Sequence, residues 1–146
     1  KEGNKGALSG VPNSMPSLLK ALRIQDKARA IGFDWEDPNQ VWEKVQEELG
    51  ELQVEVASMN SAKDEESKSK IHYKLESELG DVLFALINYA RFLNINSEDA
   101  LEKTNKKFMS RFNYMEQKIL AQGKALADCS LAEMDVFWNE AKKMEH

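Results

Sequence analysis

Two acidic clusters stand out in the chain: Glu47-Glu48-Leu49-Gly50-Glu51 and, after twenty-six intervening residues, Glu78-Leu79-Gly80-Asp81. Both lie where apolar residues recur at intervals of three and four, the period of a helix with one buried stripe. At about 100° per residue, Glu47, Glu51, Glu55 and Glu48 fall within an arc of about 100° on one helix face. That arc borders the stripe Val41, Val45, Leu49, Leu52, Val56 and Met59 rather than opposing it. Carboxylates four residues apart repel, and partial withdrawal from water adds to the cost. A compensating charge is therefore needed. Glu78 and Asp81 adjoin the apolar side of the next helix in the same way. Antiparallel packing of the two helices would bring four to five carboxylates together. Such a set suits a hard divalent cation. Magnesium and manganese take oxygen ligands in near-octahedral arrangement, and magnesium recruits substrate phosphates rather than filling a closed protein cage. Taken singly, a Glu-Glu pair is an ordinary feature of a solvated helix. The two-part pattern, each part at the edge of a strong apolar stripe, is what singles these residues out.

Basic residues complement the acids. Lys103, Lys107 and Arg111 step by four along one face of a later helix, and Lys74 precedes Glu78 by one turn. An ammonium and a guanidinium suit phosphate oxygens, and arginine can grip two at once. The alternative is an exposed basic face, or ion pairs with the acidic helices. Trp138 and Trp35 could stack on a base, although a tryptophan at helical spacing is more often a packing residue. No glycine-rich phosphate loop is present, which excludes a Walker-type ATPase.

The elements that must position these groups read as helices throughout. Residues 1–14 hold three glycines and a proline and read as a linker or extended arm, followed by one domain over 15–146. A first helix begins near Pro16 and stops at Gly32. Asp37 followed by Pro38 opens a second, running to about Asn60. The polar stretch 61–70 reads as a connector or frayed ends. A third helix covers about Ile71 to Leu93. Its apolar half, VLFALINYARFL, predicts burial between several helices or at a subunit interface. Ser97, Glu98 and Asp99 open a fourth helix to about Ala121, with Gly123 as its stop and Leu101, Phe108, Phe112, Met115 and Ile119 as its core stripe. Ser130 and Glu133 form a capping box for a last helix to about Met144. No period-two alternation of useful length appears, so the fold class is all-α.

Composition narrows the function. A net charge of −5 argues against a general nucleic-acid binder. No apolar run is long enough for a membrane span, and no secretory signal is visible. The single cysteine, Cys129, excludes an internal disulfide and fits a cytoplasmic protein. The chain starts at Lys1 and reads as a piece of a longer protein. A di-iron carboxylate bundle would want a Glu-x-x-His motif. His72 does not sit three residues after a glutamate, and His146 is terminal.

EELGE at 47–51 and ELGD at 78–81 resemble the Glu-Glu-x-x-Glu and Glu-x-x-Asp mark of the MazG family of nucleotide pyrophosphohydrolases. GVPNSMPSLLKALRIQDKARAIGFDW, ELGDVLFALINYARFL and NKKFMSRF extend the resemblance over about residues 10–143, to the C-terminal half of a two-domain MazG protein. The spacer between the two motifs is long for the family. The resemblance implies an all-α, MazG-like bundle of about four to five helices whose core is completed by homodimerisation. It implies hydrolysis of an NTP or dNTP to the monophosphate and pyrophosphate. Glu48, Glu51, Glu78 and Asp81 match metal positions for magnesium, with manganese as a substitute. Glu47 matches the first acid of the motif and, with Glu48, a catalytic role. Lys74, Lys107 and Arg111 match triphosphate-holding positions, and Trp138 a nucleoside contact. The partners implied are nucleoside triphosphates, a second copy of the chain and the N-terminal domain of the same parent. The alternative is a catalytically weak helical dimerisation or regulatory module.

Overall fold

The computed structural model describes residues 6–145. Residues 1–5 of the expected arm, and His146, lie outside the described residues. Among the described residues five α-helices appear in order: α1 Ser17–Ala30, α2 Pro38–Ser61, α3 Glu65–Phe92, α4 Ser97–Ala121 and α5 Leu131–Met144. A 3-10 turn, Leu126–Asp128, precedes α5. The described residues contain no strand. The all-α expectation holds.

Local chemistry accounts for most helix ends. Asp37 accepts a hydrogen bond from the Asn39 N–H at 2.9 Å, with Pro38 as the first helical residue of α2. Ser130 and Glu133 cap α5 reciprocally, at 3.2 and 3.0 Å. Gly32 and Gly123, with φ of 94° and 77°, adopt the left-handed conformation just beyond α1 and α4. α4 starts at Ser97 itself, which moves its cap position to Asn96. The largest departure is α3. It starts at Glu65, more than a turn before the expected Ile71, so the connector shrinks to Ala62–Asp64. Asp64 accepts from the Ser67 N–H at 2.7 Å, and Glu65 and Glu66 place negative charge in the first turn. A polar stretch of good helix formers with a cap continues the helix rather than interrupting it.

The chain divides after Glu98 into two compact units. In the first, α2 and α3 lie antiparallel across the short connector, and α1 packs on α3. Trp42 near the start of α2 meets Tyr89 near the end of α3, ring centroids 5.1 Å apart. Gln25 of α1 donates to the Phe84 carbonyl at 3.0 Å, and Asp34 of the α1–α2 connector pairs with Arg91 of α3. Val41, Val45, Val82, Ala85 and Ile87 are buried. The expected α2 stripe is only partly covered: Leu49 and Val56 are exposed, and within this unit α2 packs along α3. Within this unit the apolar half of α3 is likewise not enclosed by several helices. Leu79, Leu83, Phe84 and Leu86 remain exposed.

In the second unit, Met115 and Ile119 of α4 and Ala141 of α5 are buried. Leu101 and Phe108, expected in that core, are exposed. Phe108 instead lies against Trp138, at 5.0 Å between centroids.

Candidate active site

The α2–α3 pair brings the two acidic motifs together. One carboxylate oxygen each from Glu48, Glu78 and Asp81 lies within 4.8 Å of the others. The geometry follows from the helices. Glu48 borders the buried Val41–Val45 stripe, and Glu78 and Asp81, three apart, share one face of α3. Glu48 is buried, Glu78 half-buried and Asp81 exposed, so the cluster runs from the core to the surface. Glu48 Oε2 and Glu78 Oε2 are buried without a hydrogen-bond partner. Glu51 joins the cluster electrostatically. The negative charge of Glu48, partial desolvation and the nearby Glu78 push its carboxyl above the usual range. Glu55, the last acid of the arc, is not part of the cluster.

Lys44 is the cation already present. Its ammonium lies 2.9 Å from Glu48 Oε1 and 3.1 Å from Glu47 Oε2. Glu48 and then Glu47 hold that ammonium above its ordinary value. Glu47 remains largely exposed, tethered beside the cluster rather than inside it. Lys44 was not singled out from the sequence, although its position four residues before Glu48 carried the signal. A single ammonium cannot balance the three carboxylates that converge here together with Glu51 beside them. Carboxylate oxygens within 4.8 Å of one another, two of them unpaired, fit a divalent oxygen-loving cation, and the donor set contains no soft ligand.

Lys74 lies on α3 one turn before Glu78, exposed. The remaining expected residues belong to the second unit. Lys107 is exposed on α4. Arg111 is bound to the Glu145 carboxylate through Nε at 2.9 Å and Nη2 at 2.7 Å, with its guanidinium 5.8 Å from the Trp138 ring centre. Trp138 is half-buried between Arg111 and Phe108. Lys103 is exposed. Trp35, the other aromatic candidate, stands in the α1–α2 connector and lines a cavity in the first unit.

Residues 36–115 match the MazG nucleotide pyrophosphohydrolase domain, a span that holds both acidic motifs. The chain is 41% identical over 128 residues to the nucleoside triphosphate pyrophosphohydrolase/pyrophosphatase MazG of Thermotoga maritima, covering 88% of this chain and 45% of that protein. It is 35% identical over 147 residues to the nucleoside triphosphate pyrophosphohydrolase of Escherichia coli K12, covering 99% of this chain and 52% of that protein. A 79-residue segment is 49% identical to the uncharacterized protein YabN of Bacillus subtilis, covering 54% of this chain and 16% of that one. The chain spans about half the length of the first two relatives. With the domain match lying across the helices that carry its acidic cluster, this chain belongs to the MazG nucleotide pyrophosphohydrolase family.

Proposed function

We propose that this chain is a divalent-cation-dependent pyrophosphohydrolase that cuts an NTP or dNTP at the α–β phosphoanhydride, giving the monophosphate and pyrophosphate. The observation that carries this reading is the convergence of Glu48, Glu78 and Asp81 within 4.8 Å, with two buried oxygens left unpaired. Glu48, Glu51, Glu78 and Asp81 would hold magnesium, or manganese in its place. The ion would neutralise phosphate charge and make a water more acidic.

The chain's own residues account for the other requirements. Glu47 accepts a proton from the attacking water, with Lys44 fixing its carboxylate beside Glu48. The water oxygen bonds to the α-phosphorus, the bond from that phosphorus to the α–β bridging oxygen breaks, and pyrophosphate leaves with the electron pair. Lys74, Lys107 and Arg111 offset the charge of the leaving group, Arg111 exchanging Glu145 for phosphate oxygens. Trp138 offers a ring face to the nucleoside.

The chain acts as a homodimer in this reading. Leu79, Leu83 and Leu86 are exposed on one face of α3, and an apolar face of that kind marks an association surface. The same face supports a second reading, a dimerisation or regulatory module with weak catalysis. An assay separates the two. The chain is incubated with magnesium and a panel of NTPs and dNTPs, with detection of monophosphate and pyrophosphate. Hydrolysis that disappears in Glu48→Ala and Asp81→Ala, both still helical by circular dichroism, supports the enzyme. No turnover of any nucleotide, or full activity in either variant, removes it.

A further inference from the structure

The α2 helix carries one basic residue, Lys44, and it lies on the acidic face. At about 100° per residue it falls inside the arc of Glu47, Glu48, Glu51 and Glu55, one turn before Glu48. Lysine and glutamate one turn apart are commonplace on a helix surface and contribute little there. Three observations set this pair apart. The order is the less favourable one, with lysine N-terminal to glutamate, so support of the helix does not account for it. The partner is not a surface acid: Glu48 is 6% exposed, and its Oε1 takes the ammonium at 2.9 Å. Glu48 also belongs to the set that converges with Glu78 and Asp81. The ammonium thus stands no more than one carboxylate away from the cluster, bridged to Glu47 at 3.1 Å on the outer side. Among the described residues no other lysine or arginine is paired with Glu48, Glu51, Glu78 or Asp81.

A fixed positive charge in that place acts in two directions. It lowers the repulsion among carboxylates that α2 and α3 bring together, and so favours the packed pair when no divalent ion is bound. It also repels any divalent ion that the same carboxylates attract. Both effects come from one charge, so they appear and disappear together. We propose that Lys44 is the built-in counter-ion of the acidic cluster, stabilising the α2–α3 pair without a divalent ion and weakening the protein's own hold on that ion. The ammonium keeps Glu47 and Glu48 in both conditions; its charge, rather than its displacement, sets the affinity. A weakened site leaves magnesium dependent on the further oxygens that substrate phosphates supply. This inference rests on the cation-binding reading above and adds to it what sets the strength of the site.

The test titrates manganese, without nucleotide and at low ionic strength, into the parent chain, Lys44→Met and Lys44→Arg, following the free ion by its electron paramagnetic resonance signal. Lys44→Met keeps an unbranched stem and removes the charge. It should bind manganese about tenfold more tightly, as loss of a unit charge beside a divalent ion requires even at the dielectric of water. Lys44→Arg keeps the charge and should stay within about threefold of the parent. In EDTA, Lys44→Met should melt at least about 3 °C below the parent, because Glu48 then holds a buried charge without its partner. In saturating manganese that deficit should close or reverse. Should Lys44→Met not fold in EDTA, Lys44→Gln, which retains a donor without the charge, is held to the same expectations. Manganese affinity equal to or below the parent's in the neutral variant overturns the proposal; if Lys44→Arg restores what the neutral variant loses, Lys44 positions Glu48 instead. Unchanged melting in EDTA also overturns it. A parent chain that binds no manganese removes the cation site itself. A parent that binds the ion, with no gain in the neutral variant, leaves the site standing and removes only the counter-ion.

Discussion

Replacing Glu78 by glutamine should make the cation-free protein more stable and the magnesium-loaded protein less so. Glu78 meets Glu48 and Asp81 with oxygens within 4.8 Å, and adds to the charge felt by Glu51. At that separation one like-charge pair costs about 0.9 kcal/mol in water and about 3.5 kcal/mol at an effective dielectric of about 20. Glu78 is only half-buried, Asp81 is exposed and Lys44 already offsets Glu48, so the lower end governs. Removing two such pairs should gain about 1–2 kcal/mol. For a domain of this size that raises the melting temperature in EDTA by about 3–6 °C. In magnesium the order reverses. A bound ion stabilises by about 2.7 kcal/mol at a hundredfold excess over its Kd, and losing a charged ligand forfeits much of that. Thermal unfolding of both proteins at one protein concentration, in EDTA and in saturating magnesium, measures the crossing. A variant destabilised in EDTA, or one that gains as much from magnesium as the parent does, would refute the reasoning.

Three further outcomes follow from other parts of the molecule. Glu133 is held at about 2 by Lys124 and by the Ser130 backbone N–H, against an ordinary 4.5. A lowered folded value means that its contribution is complete above about pH 4.5 and is lost as the pH falls toward about 2, so the difference in urea midpoint between the parent and Glu133→Gln should be flat near neutrality and shrink across that window. Ile119 is 1% exposed, and Ile119→Ala should cost about 2–5 kcal/mol by urea unfolding; a loss below about 1 kcal/mol would mean that the second unit's core is loosely packed. On the proposed homodimer, Leu83→Glu on the exposed face of α3 should convert dimer to monomer in sedimentation velocity, and a dimer that persists, or a parent chain that is already monomeric, would remove that surface from the account.

Features set by neighbouring residues were readable in the sequence. Asp37-Pro38, Gly32, Gly123 and the Ser130–Glu133 box depend on contacts within one turn, and each marks its helix end as expected. The start of α3 was not, because Asp64 with Glu65 and Glu66 turns a polar stretch that reads as a connector into a capped helix. The acids were legible because spacings of three and four place them on single faces, and one short connector forces those faces together. Long-range pairs were hidden for the opposite reason. Gln25 is one of several polar residues on α1, and its partner carbonyl lies 59 positions away. Arg91 was visible only as an interruption of an apolar run, with no sign of Asp34 as its partner. Nor did any local pattern join Arg111 to Glu145, 34 residues on.

The most direct test is a calorimetric magnesium titration in the presence of a non-hydrolysable NTP analogue, comparing the parent chain with Asp81→Asn. The parent should show saturable, analogue-dependent heat, and Asp81→Asn should need at least about tenfold more magnesium, as loss of an anionic ligand requires. Equal magnesium affinity in the two proteins, with the variant folded, would contradict a cation site built from α2 and α3.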